Sequence, residues 1–266
     1  VYYYISPKFW AWREGRVKQV KKYVDRLYII FPFEKEFFRR HSYNVTFLGN
    51  PLIDHVETWR DAAPDREAIT ASMGLDARPV IALVAGSRQQ EVASILPAMV
   101  SIAAGFPDYQ FVVAAMDHLP AELYEGITGS LPVRVINGRT YDLLSVAEAA
   151  LVTSGTATLE AALFNVPQVV CYRTSAVTYH LAKKFIKVRF LSLVNLIMDR
   201  EVVRELIQND MTQARLHSEL QDILVTGYRH EIIKRDYSEL REILGGSGAS
   251  ERVAEDMLKN LKENIA

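Results

Sequence analysis

Residues 86–88, Gly-Ser-Arg, are the first group suited to binding an anion. They follow the apolar run "PVIALVA" and precede a helical pattern, so they lie where a strand would turn into a helix. Gly86 permits a tight turn, Ser87 is placed to cap the helix, and Arg88 adds a guanidinium beside the free N–H groups of its first turn. This combination predicts a phosphate site at the helix amino end. The alternative is an ordinary turn with a surface arginine.

A second junction of this kind is "SGTATLE", after the apolar run at residues 149–152. Ser154, Gly155 and Thr156 are small, so their backbone N–H groups are able to face a phosphate at another helix amino end. Glu160 follows one turn later on the same side, where a carboxylate would accept hydrogen bonds from two vicinal hydroxyls, as on a ribose. Two such junctions favour a diphosphate nucleotide. The alternative is that Thr156 only caps the helix and Glu160 only favours its first turn.

Other features of the sequence disfavour several classes of function. The chain has neither a Walker lysine motif nor a GxGxxG run, which disfavours an NTPase and a dehydrogenase. Its 6 histidines are scattered without HExxH spacing, so we predict no metal site. The single cysteine, Cys171, lies in the apolar run "PQVVCY" and is predicted to be a small core residue. The 31 Lys and Arg nearly balance the 32 Asp and Glu, which does not indicate nucleic-acid binding.

Residues 7–26 form a segment that we call the aromatic-basic segment. It contains seven basic residues against two acidic ones, together with Phe9, Trp10 and Trp12. Tryptophans at the headgroup level and lysines near anionic lipid would suit a membrane surface. Stacking on nucleic acid and a solvated helix with tryptophans in the core are the alternatives, and the balanced charge elsewhere disfavours nucleic acid.

Strand and helix patterns alternate along most of the chain, which indicates parallel α/β sheets built from βαβ units. Strands are predicted at residues 1–6, 27–31, 44–49, 79–86, 109–116, 133–136, 150–154 and 167–172. Helices are predicted at residues 9–24, 33–41, 89–105, 120–128, 141–148 and 156–164. Residues 50–68 lose the periodicity and contain two prolines, so we predict a linker there. From residue 175 onward only helices are predicted, with a break at "GGSG".

Three parts follow from this reading. Residues 1–56 would be the remnant of a first sheet domain, because "VYYYIS" enters a strand at once and suggests that an earlier part is missing. Residues 57–210 would be a complete second sheet domain that binds the nucleotide. Residues 211–266 would be C-terminal helices that pack back on the first domain.

Several segments resemble lipid-A-disaccharide synthases, in order and from residue 1 to about 210: "YYISPKFWAWREGRVKQV", "FLGNPLID", "GSRQQEV", "SGTATLEAALFNVPQVVCYR" and "LAKKFIK…LSLVNLIMDREVVRELIQ". The resemblance implies a GT-B fold of two Rossmann-like domains, the first incomplete here, with a helical C-terminal tail. It implies an inverting transferase of lipopolysaccharide lipid A biosynthesis. Such an enzyme condenses UDP-2,3-diacylglucosamine with 2,3-diacylglucosamine 1-phosphate (lipid X) into lipid A disaccharide 1-phosphate and releases UDP. The UDP-sugar is a substrate, and neither a cofactor nor a metal is expected.

The resemblance also assigns roles to residues. Arg88 would meet the donor diphosphate beside Gly86 and Ser87, the backbone at Ser154, Gly155 and Thr156 would supply donors, and Glu160 would hold the ribose. The same comparison places Asn195 and Glu201 along the nucleotide side of the cleft. We expect Asn195 in a loop before a helix that Asp199 caps. The acyl chains of both substrates imply a peripheral enzyme on the cytoplasmic face of the bacterial inner membrane, held there by the aromatic-basic segment.

The chain departs from the family pattern at Ala85 and Val194, where the family usually has proline. The glycine-rich loop and the acidic residue proposed as catalytic base in the family's first strands have no counterpart here. We therefore expect a chain that binds UDP but transfers little sugar. Another GT-B UDP-sugar enzyme and a non-catalytic nucleotide-binding module are the rival interpretations, and a homodimer stays open.

Overall fold

The computed structural model describes residues 1–12, 14–175 and 189–263, without the side chains of residues 11 and 12. The described chain forms two compact units. Unit 1 contains residues 1–61, 189 and those from 239 onward, and unit 2 contains residues 62–175 and 190–238. The predicted boundaries at 56 and 210 differ from this division, because residues 211–238 pack within unit 2. Buried Gln168, for example, donates a hydrogen bond of 3.0 Å from Nε2 to the hydroxyl of buried Tyr237.

Unit 1 is built on a parallel sheet of order β1-β2-β3. Its strands are β1 (Tyr2–Tyr4), β2 (Arg26–Ile29) and β3 (Thr46–Phe47). The helices between them are α1 (Phe9–Trp12), α2 (Val17–Tyr23) and α3 (Glu34–Arg40). Their apolar faces share one core with the sheet. The helix predicted over residues 9–24 is divided by a 3-10 turn at Glu14–Arg16, which contains the poor helix former Gly15.

The predicted linker at residues 50–68 was wrong, because this stretch holds two helices, α4 (Pro51–Ala62) and the start of α5 (Arg66–Ser72). Pro51 occupies the first position of α4, where a missing N–H costs nothing. The α5 helix begins after Asp65, whose carboxylate accepts a hydrogen bond of 2.7 Å from the backbone of Ala68. The prolines therefore mark helix starts and the gap between helices, rather than an unstructured connection.

Unit 2 contains a six-stranded parallel sheet of order β6-β5-β4-β7-β8-β9. Its strands are β4 (Val80–Val84), β5 (Gln110–Ala115), β6 (Val133–Asn137), β7 (Ala147–Thr153), β8 (Gln168–Tyr172) and β9 (Arg204–Ile207). Its helices include α6 (Gln89–Val100), α7 (Ala121–Thr128), α8 (Thr140–Val146), α9 (Thr156–Leu163), α10 (Leu193–Met198) and α11 (Gln213–Ile223). Every residue of β4 and β5 is buried, as expected for central parallel strands.

The prediction of helices alone after residue 175 was wrong at β9. Residues 204–207 pair in parallel with residues 169–172 of β8 and complete the sheet. Local propensity does not reveal this, since the partner strand lies more than thirty residues away along the chain. The predicted helix in "AVTYHLAKKFIK" lies outside the described residues.

The last two helices are α12 (His230–Leu244) and α13 (Ala249–Glu263), and α13 docks within unit 1. At the amino end of α13, the backbone N–H groups of Gly248 (2.6 Å), Ala249 (3.2 Å) and Ser250 (3.0 Å) donate hydrogen bonds to the carboxylate of Asp54, which lies in α4. Farther along α13, Asp256 accepts a hydrogen bond of 2.7 Å from the hydroxyl of Tyr28. Burial alone would raise the pKa of Asp54, but the three N–H groups outweigh it and lower the pKa.

We predict that Asp54→Asn lowers the free energy of unfolding at neutral pH by about 1–2 kcal/mol, because an amide is a weaker acceptor for these donors. Since the folded pKa lies below the ordinary 3.8, the difference is complete above pH 3.8 and shrinks as the pH falls below it. Urea unfolding over a pH series measures it. Asp61→Asn, an exposed site on the same helix, is the control, and an equal effect there would contradict the capping role.

Candidate nucleotide site

The two sequence junctions lie side by side at the carboxyl edge of the unit 2 sheet. Strands β4 and β7 are hydrogen-bonded neighbours, with Val84 opposite Val152. From β4 the chain continues to β5 on one side of the sheet, and from β7 it continues to β8 on the other. Ligands of open α/β sheets bind at such a switch point. The order of the strands thus brings together two loops that are more than sixty residues apart along the chain.

The backbone conformation at residue 86 and the nearby Glu91 side chain both favour glycine at this position. The Gly86 backbone φ of +116° is one that residues with a side chain rarely adopt. A Cβ at this position would lie 2.7 Å from Glu91 Oε2 and 3.4 Å from Thr153 Cγ2. Thr153 ends β7, so a side chain at position 86 would reach the strand that leads into the second junction. The left-handed φ and the short distance to Glu91 are what favour glycine here.

Arg88 occupies the N-cap position of α6 and its side chain is 81% exposed. Its Nη1 lies 2.8 Å from Glu91 Oε1, an exposed ion pair of the kind that contributes only about 0–1 kcal/mol. A doubly charged phosphate group could therefore displace Glu91 at small cost. The prediction that Ser87 caps α6 was wrong, because the helix begins one residue later and no side chain caps it. Instead, the Ser87 carbonyl oxygen lies 2.8 Å from His118 Nε2, in the loop after β5.

The second junction leaves an open helix amino end. Gly155 is the N-cap of α9, with a φ of +152°, and a Cβ there would meet no atom within 4 Å. Thr156 is the first helical residue, so the alternative in which it caps α9 is not what the structure shows. Thr158 Oγ1 donates to the Gly155 carbonyl at 2.8 Å, and Ser154 Oγ donates to the Leu191 carbonyl at 2.8 Å. Both hydroxyl groups thus donate to backbone carbonyl groups and stabilise the turn between β7 and α9.

Glu160 lies on the first turns of α9 and accepts a hydrogen bond of 3.1 Å at Oε1 from the Tyr141 hydroxyl. Tyr141 stands on α8, after β6, and its ring packs against Phe164 at 5.1 Å between centroids. Burial and the Glu160 carboxylate both raise the pKa of Tyr141, so the phenol remains a donor at neutral pH. Tyr141 thus orients the carboxylate. Sequence reasoning missed it, since only the fold brings α8 beside α9.

Asn195 is fully buried and lies in α10, so the expected loop position was wrong. Its Oδ1 accepts from the backbone N–H groups of Val202 (2.8 Å) and Val203 (3.0 Å), and its Nδ2 donates to the Val203 carbonyl (2.8 Å) and to Glu205 Oε1 (2.9 Å). Asp199 ends α10 in a left-handed conformation with a φ of +50°, rather than starting a helix. The Asn195 side chain therefore stabilises the turn that leads into β9 by hydrogen bonds to its backbone. Its direct contact with a nucleotide stays a prediction.

Glu205 of β9 is a second residue that sequence reasoning missed. Its carboxylate accepts hydrogen bonds of 2.9 Å each from the backbone N–H groups of Leu191 and Ser192, besides that from Asn195. Because Leu191 also accepts from Ser154, a continuous hydrogen-bond chain connects β9 to the second junction. Glu201, by contrast, lies exposed on the turn and pairs with Arg204 at 3.0 Å. The role of Glu201 toward a nucleotide stays a prediction.

Three remaining features concern the described residues alone. Cys171 is fully buried in β8 and burial raises its pKa to about 12, which agrees with the predicted core position. Within residues 1–12, 14–175 and 189–263, no group of three or more His, Cys, Asp or Glu side chains is arranged to hold a metal ion. In the same part of the chain every helix is too short or too polar to cross a bilayer.

Comparison with known proteins shows the family. The sequence profile described as lipid-A-disaccharide synthetase matches residues 1–259. Lipid-A-disaccharide synthase from Myxococcus xanthus is 39% identical over 269 residues, which cover 98% of this chain and 69% of that protein. The enzyme of the same description from Geobacter sulfurreducens is 37% identical over 276 residues, which cover 100% of this chain and 70% of that protein.

Solved structures show the fold. A UDP-GlcNAc 2-epimerase from Neisseria meningitidis bound to UDP-GlcNAc matches with a TM-score of 0.63 at 15% identity, covering 89% of this chain and 62% of that one. A glycotransferase of kitacinnamycin matches with a TM-score of 0.54 at 18% identity, covering 88% of this chain and 55% of that one. The chain therefore spans less than two thirds of these solved proteins.

Fold and site together define a GT-B type α/β protein, with parallel sheets, C-terminal helices and paired loops at the switch point of unit 2. Proteins of this class include glycosyltransferases. The chain belongs to the lipid-A-disaccharide synthase family, whose members are such transferases, and the resemblance inferred from the sequence is confirmed.

Proposed function

We propose that unit 2 binds UDP at the switch point between β4 and β7, as the donor half of an enzyme that condenses UDP-2,3-diacylglucosamine with 2,3-diacylglucosamine 1-phosphate. The observation that carries the proposal is the pairing of β4 with β7, with Val84 opposite Val152, which brings the two glycine junctions to one edge of the sheet. Family membership supplies the reaction, and the open amino ends of α6 and α9 supply the anion chemistry.

Each part of the site has a task in this reaction. The acceptor 6-hydroxyl attacks the anomeric carbon of the donor and loses its proton to a base, while the bond to the UDP oxygen breaks. The leaving diphosphate gains negative charge, which Arg88 and the backbone N–H groups near Gly155 stabilise. Glu160, oriented by Tyr141, accepts hydrogen bonds from the ribose hydroxyls. The UDP-sugar is a substrate in this proposal, and charge stabilisation comes from the protein rather than from a resident metal.

The aromatic-basic segment supports peripheral binding to an anionic membrane. Lys18 and Lys22 are exposed on α2, opposite the buried Val17 and Val20, and this arrangement places charge toward solvent. Trp10 instead packs its ring edge-on against Phe33 at 4.9 Å and contributes to the unit 1 core. The cations, rather than Trp10, are therefore the groups that would meet lipid.

A second candidate is another reaction on a UDP-sugar. The UDP-GlcNAc 2-epimerases share this fold, so the fold itself is compatible with such a reaction. Incubation with both proposed substrates distinguishes the two, since a disaccharide product requires transfer.

We predict that Arg88→Ala raises the Kd for UDP roughly 10- to 100-fold, because it removes a charge-assisted contact worth about 1.5–3 kcal/mol. Calorimetry measures the affinity, and circular dichroism verifies that the variant is folded. Arg78→Ala removes an arginine that pairs with Asp76 before β4, at the opposite edge of the sheet, and should leave the Kd unchanged. EDTA should leave it unchanged as well. An unaltered affinity in Arg88→Ala would refute the phosphate role, and loss of folding would show that Arg88 is structural.

We predict that Tyr141→Phe weakens UDP binding roughly three- to tenfold, because Glu160 loses the donor that orients it. The loss should be much smaller for 2′-deoxy-UDP, which lacks one of the hydroxyls that Glu160 would accept from. Tyr109→Phe, which removes a hydroxyl 3.4 Å from Glu148 at the other edge of the sheet, is the matched control. Equal losses for UDP and 2′-deoxy-UDP would show that Tyr141 does not act through the ribose.

We predict that exchanging both Lys18 and Lys22 for Gln lowers partitioning onto phosphatidylglycerol-containing vesicles roughly tenfold or more, since each cation near an anionic surface contributes about 1 kcal/mol. Binding to pure phosphatidylcholine vesicles should not change. The control exchanges Lys259 and Lys262, two exposed lysines of α13, for Gln. A similar loss in the control would indicate a general charge effect rather than a membrane-facing helix.

A further inference from the structure

The loop after β5, residues 116–120, reaches across the carboxyl edge of the unit 2 sheet to the loop after β4. Strands β5 and β4 are neighbours in the sheet. His118 donates a hydrogen bond of 2.8 Å from Nε2 to the Ser87 carbonyl oxygen. Because a carbonyl oxygen only accepts, Nε2 must carry the proton. His118 therefore connects the β5 loop to the junction that contains Arg88.

The β5 loop is itself held by contacts on its other sides. The Met116 N–H donates a hydrogen bond of 3.1 Å to the hydroxyl of Tyr124, which is buried in α7. The Leu119 N–H donates to the Met116 carbonyl at 3.0 Å and closes the turn. On the β6 side, a Cβ at Gly138 would lie 2.8 Å from Asp117 Oδ1, so the Asp117 carboxylate lies close to the Gly138 backbone. The loop is thus a firm support for a side chain that reaches toward β4.

The Ser87 carbonyl belongs to the same planar peptide unit as the Arg88 N–H, and in a trans peptide these two groups point in opposite directions. The hydrogen bond from His118 draws the carbonyl toward the β5 loop. The Arg88 N–H is therefore directed away from that loop, and β7 lies on the side of β4 opposite β5. Arg88 is the N-cap of α6, which no side chain caps. One hydrogen bond thus sets the direction of a backbone donor at the proposed phosphate site.

Exposure favours a role in the site over a role in folding. Ser87, Arg88 and His118 are all exposed, so water can replace the imidazole as a donor to the Ser87 carbonyl without leaving a buried group unpaired. The ion pair between Arg88 and Glu91 is exposed as well and holds the loop only weakly. A loop that is fixed before the ligand arrives loses less conformational freedom on binding, which increases affinity.

We propose that His118 is a positioning residue for the diphosphate of the donor: its Nε2–H fixes the peptide between Ser87 and Arg88, and thereby directs the Arg88 N–H and the amino end of α6 toward the phosphates. His118 acts through this peptide and does not itself touch the ligand. The nature of the ligand rests on the proposed function. The hold of His118 on the loop does not depend on it.

Amide hydrogen exchange without ligand tests the hold on the loop. The Val92 N–H donates to the Arg88 carbonyl at 3.0 Å, so its exchange reports opening of the first turn of α6. His118→Ala should raise the exchange rate roughly three- to tenfold. His118→Gln, whose amide nitrogen can take the place of Nε2, should retain the parent rate, whereas the shorter His118→Asn should not. The control is His217→Ala, which removes a ring stacked on Phe106 at 4.5 Å near the opposite edge of the sheet. Equal rates in the parent and in His118→Ala would overturn the proposal.

Calorimetry with UDP and with uridine tests the role toward the phosphates. His118→Ala should raise the Kd for UDP roughly three- to tenfold, with His118→Gln near the parent and His118→Asn near the alanine variant. Uridine lacks the phosphates, so its Kd should be the same in all variants. His217→Ala should match the parent with both ligands, and circular dichroism verifies that each variant is folded. Equal losses for UDP and uridine, or a folded His118→Gln that behaves like His118→Ala, would refute the proposed role.

Two results separate this inference from the proposed function. If the exchange of the Val92 amide depends on His118 while the UDP affinity is the same in all variants, the role of His118 toward the diphosphate is refuted and the proposed function stands. If UDP fails to bind the parent protein, the proposed function fails, and the exchange experiment still decides whether His118 holds the loop.

Discussion

The site depends on the close approach of two loops at the switch point of the unit 2 sheet. Pairing of β4 with β7 aligns their carboxyl ends, and a Cβ at Gly86 would come too close to Glu91 while just reaching Thr153 at the end of β7. Two helix amino ends then open at the same edge, and their positive dipole ends add. Without that strand pairing, each junction would be an ordinary turn at the start of a helix.

Around this edge, residues that belong to no recognisable motif hold the side chains of the candidate nucleotide site in place. Glu205 stabilises the loop at residues 191–192, which in turn accepts a hydrogen bond from Ser154. Tyr141 orients Glu160 from a neighbouring helix. Such supporting contacts reduce the motion of the groups that would meet a nucleotide, which is how a binding site keeps its geometry before the ligand arrives.

Unit 1 shows the same arrangement on a smaller sheet, with buried polar groups after each strand and α13 fastened by Asp54 at its amino end. The helix that ends the described chain therefore packs within the unit formed by its first residues. Glu34 is the ionisable member of that edge, and burial raises its pKa to about 7.

Period and composition alone determined the α/β class, most strands and the position of the two glycine-containing strand–helix junctions, because apolar runs and glycine turns are local signals. Family membership was likewise readable from the quoted segments. Only the tertiary structure decided that β4 neighbours β7, that residues 204–207 form a strand and that Asn195 is buried in a helix. Each of these depends on partners distant along the chain, whose pairing and burial energies outweigh local propensity. For the same reason Tyr141 and Glu205 carried no signal until the fold placed them beside their partners.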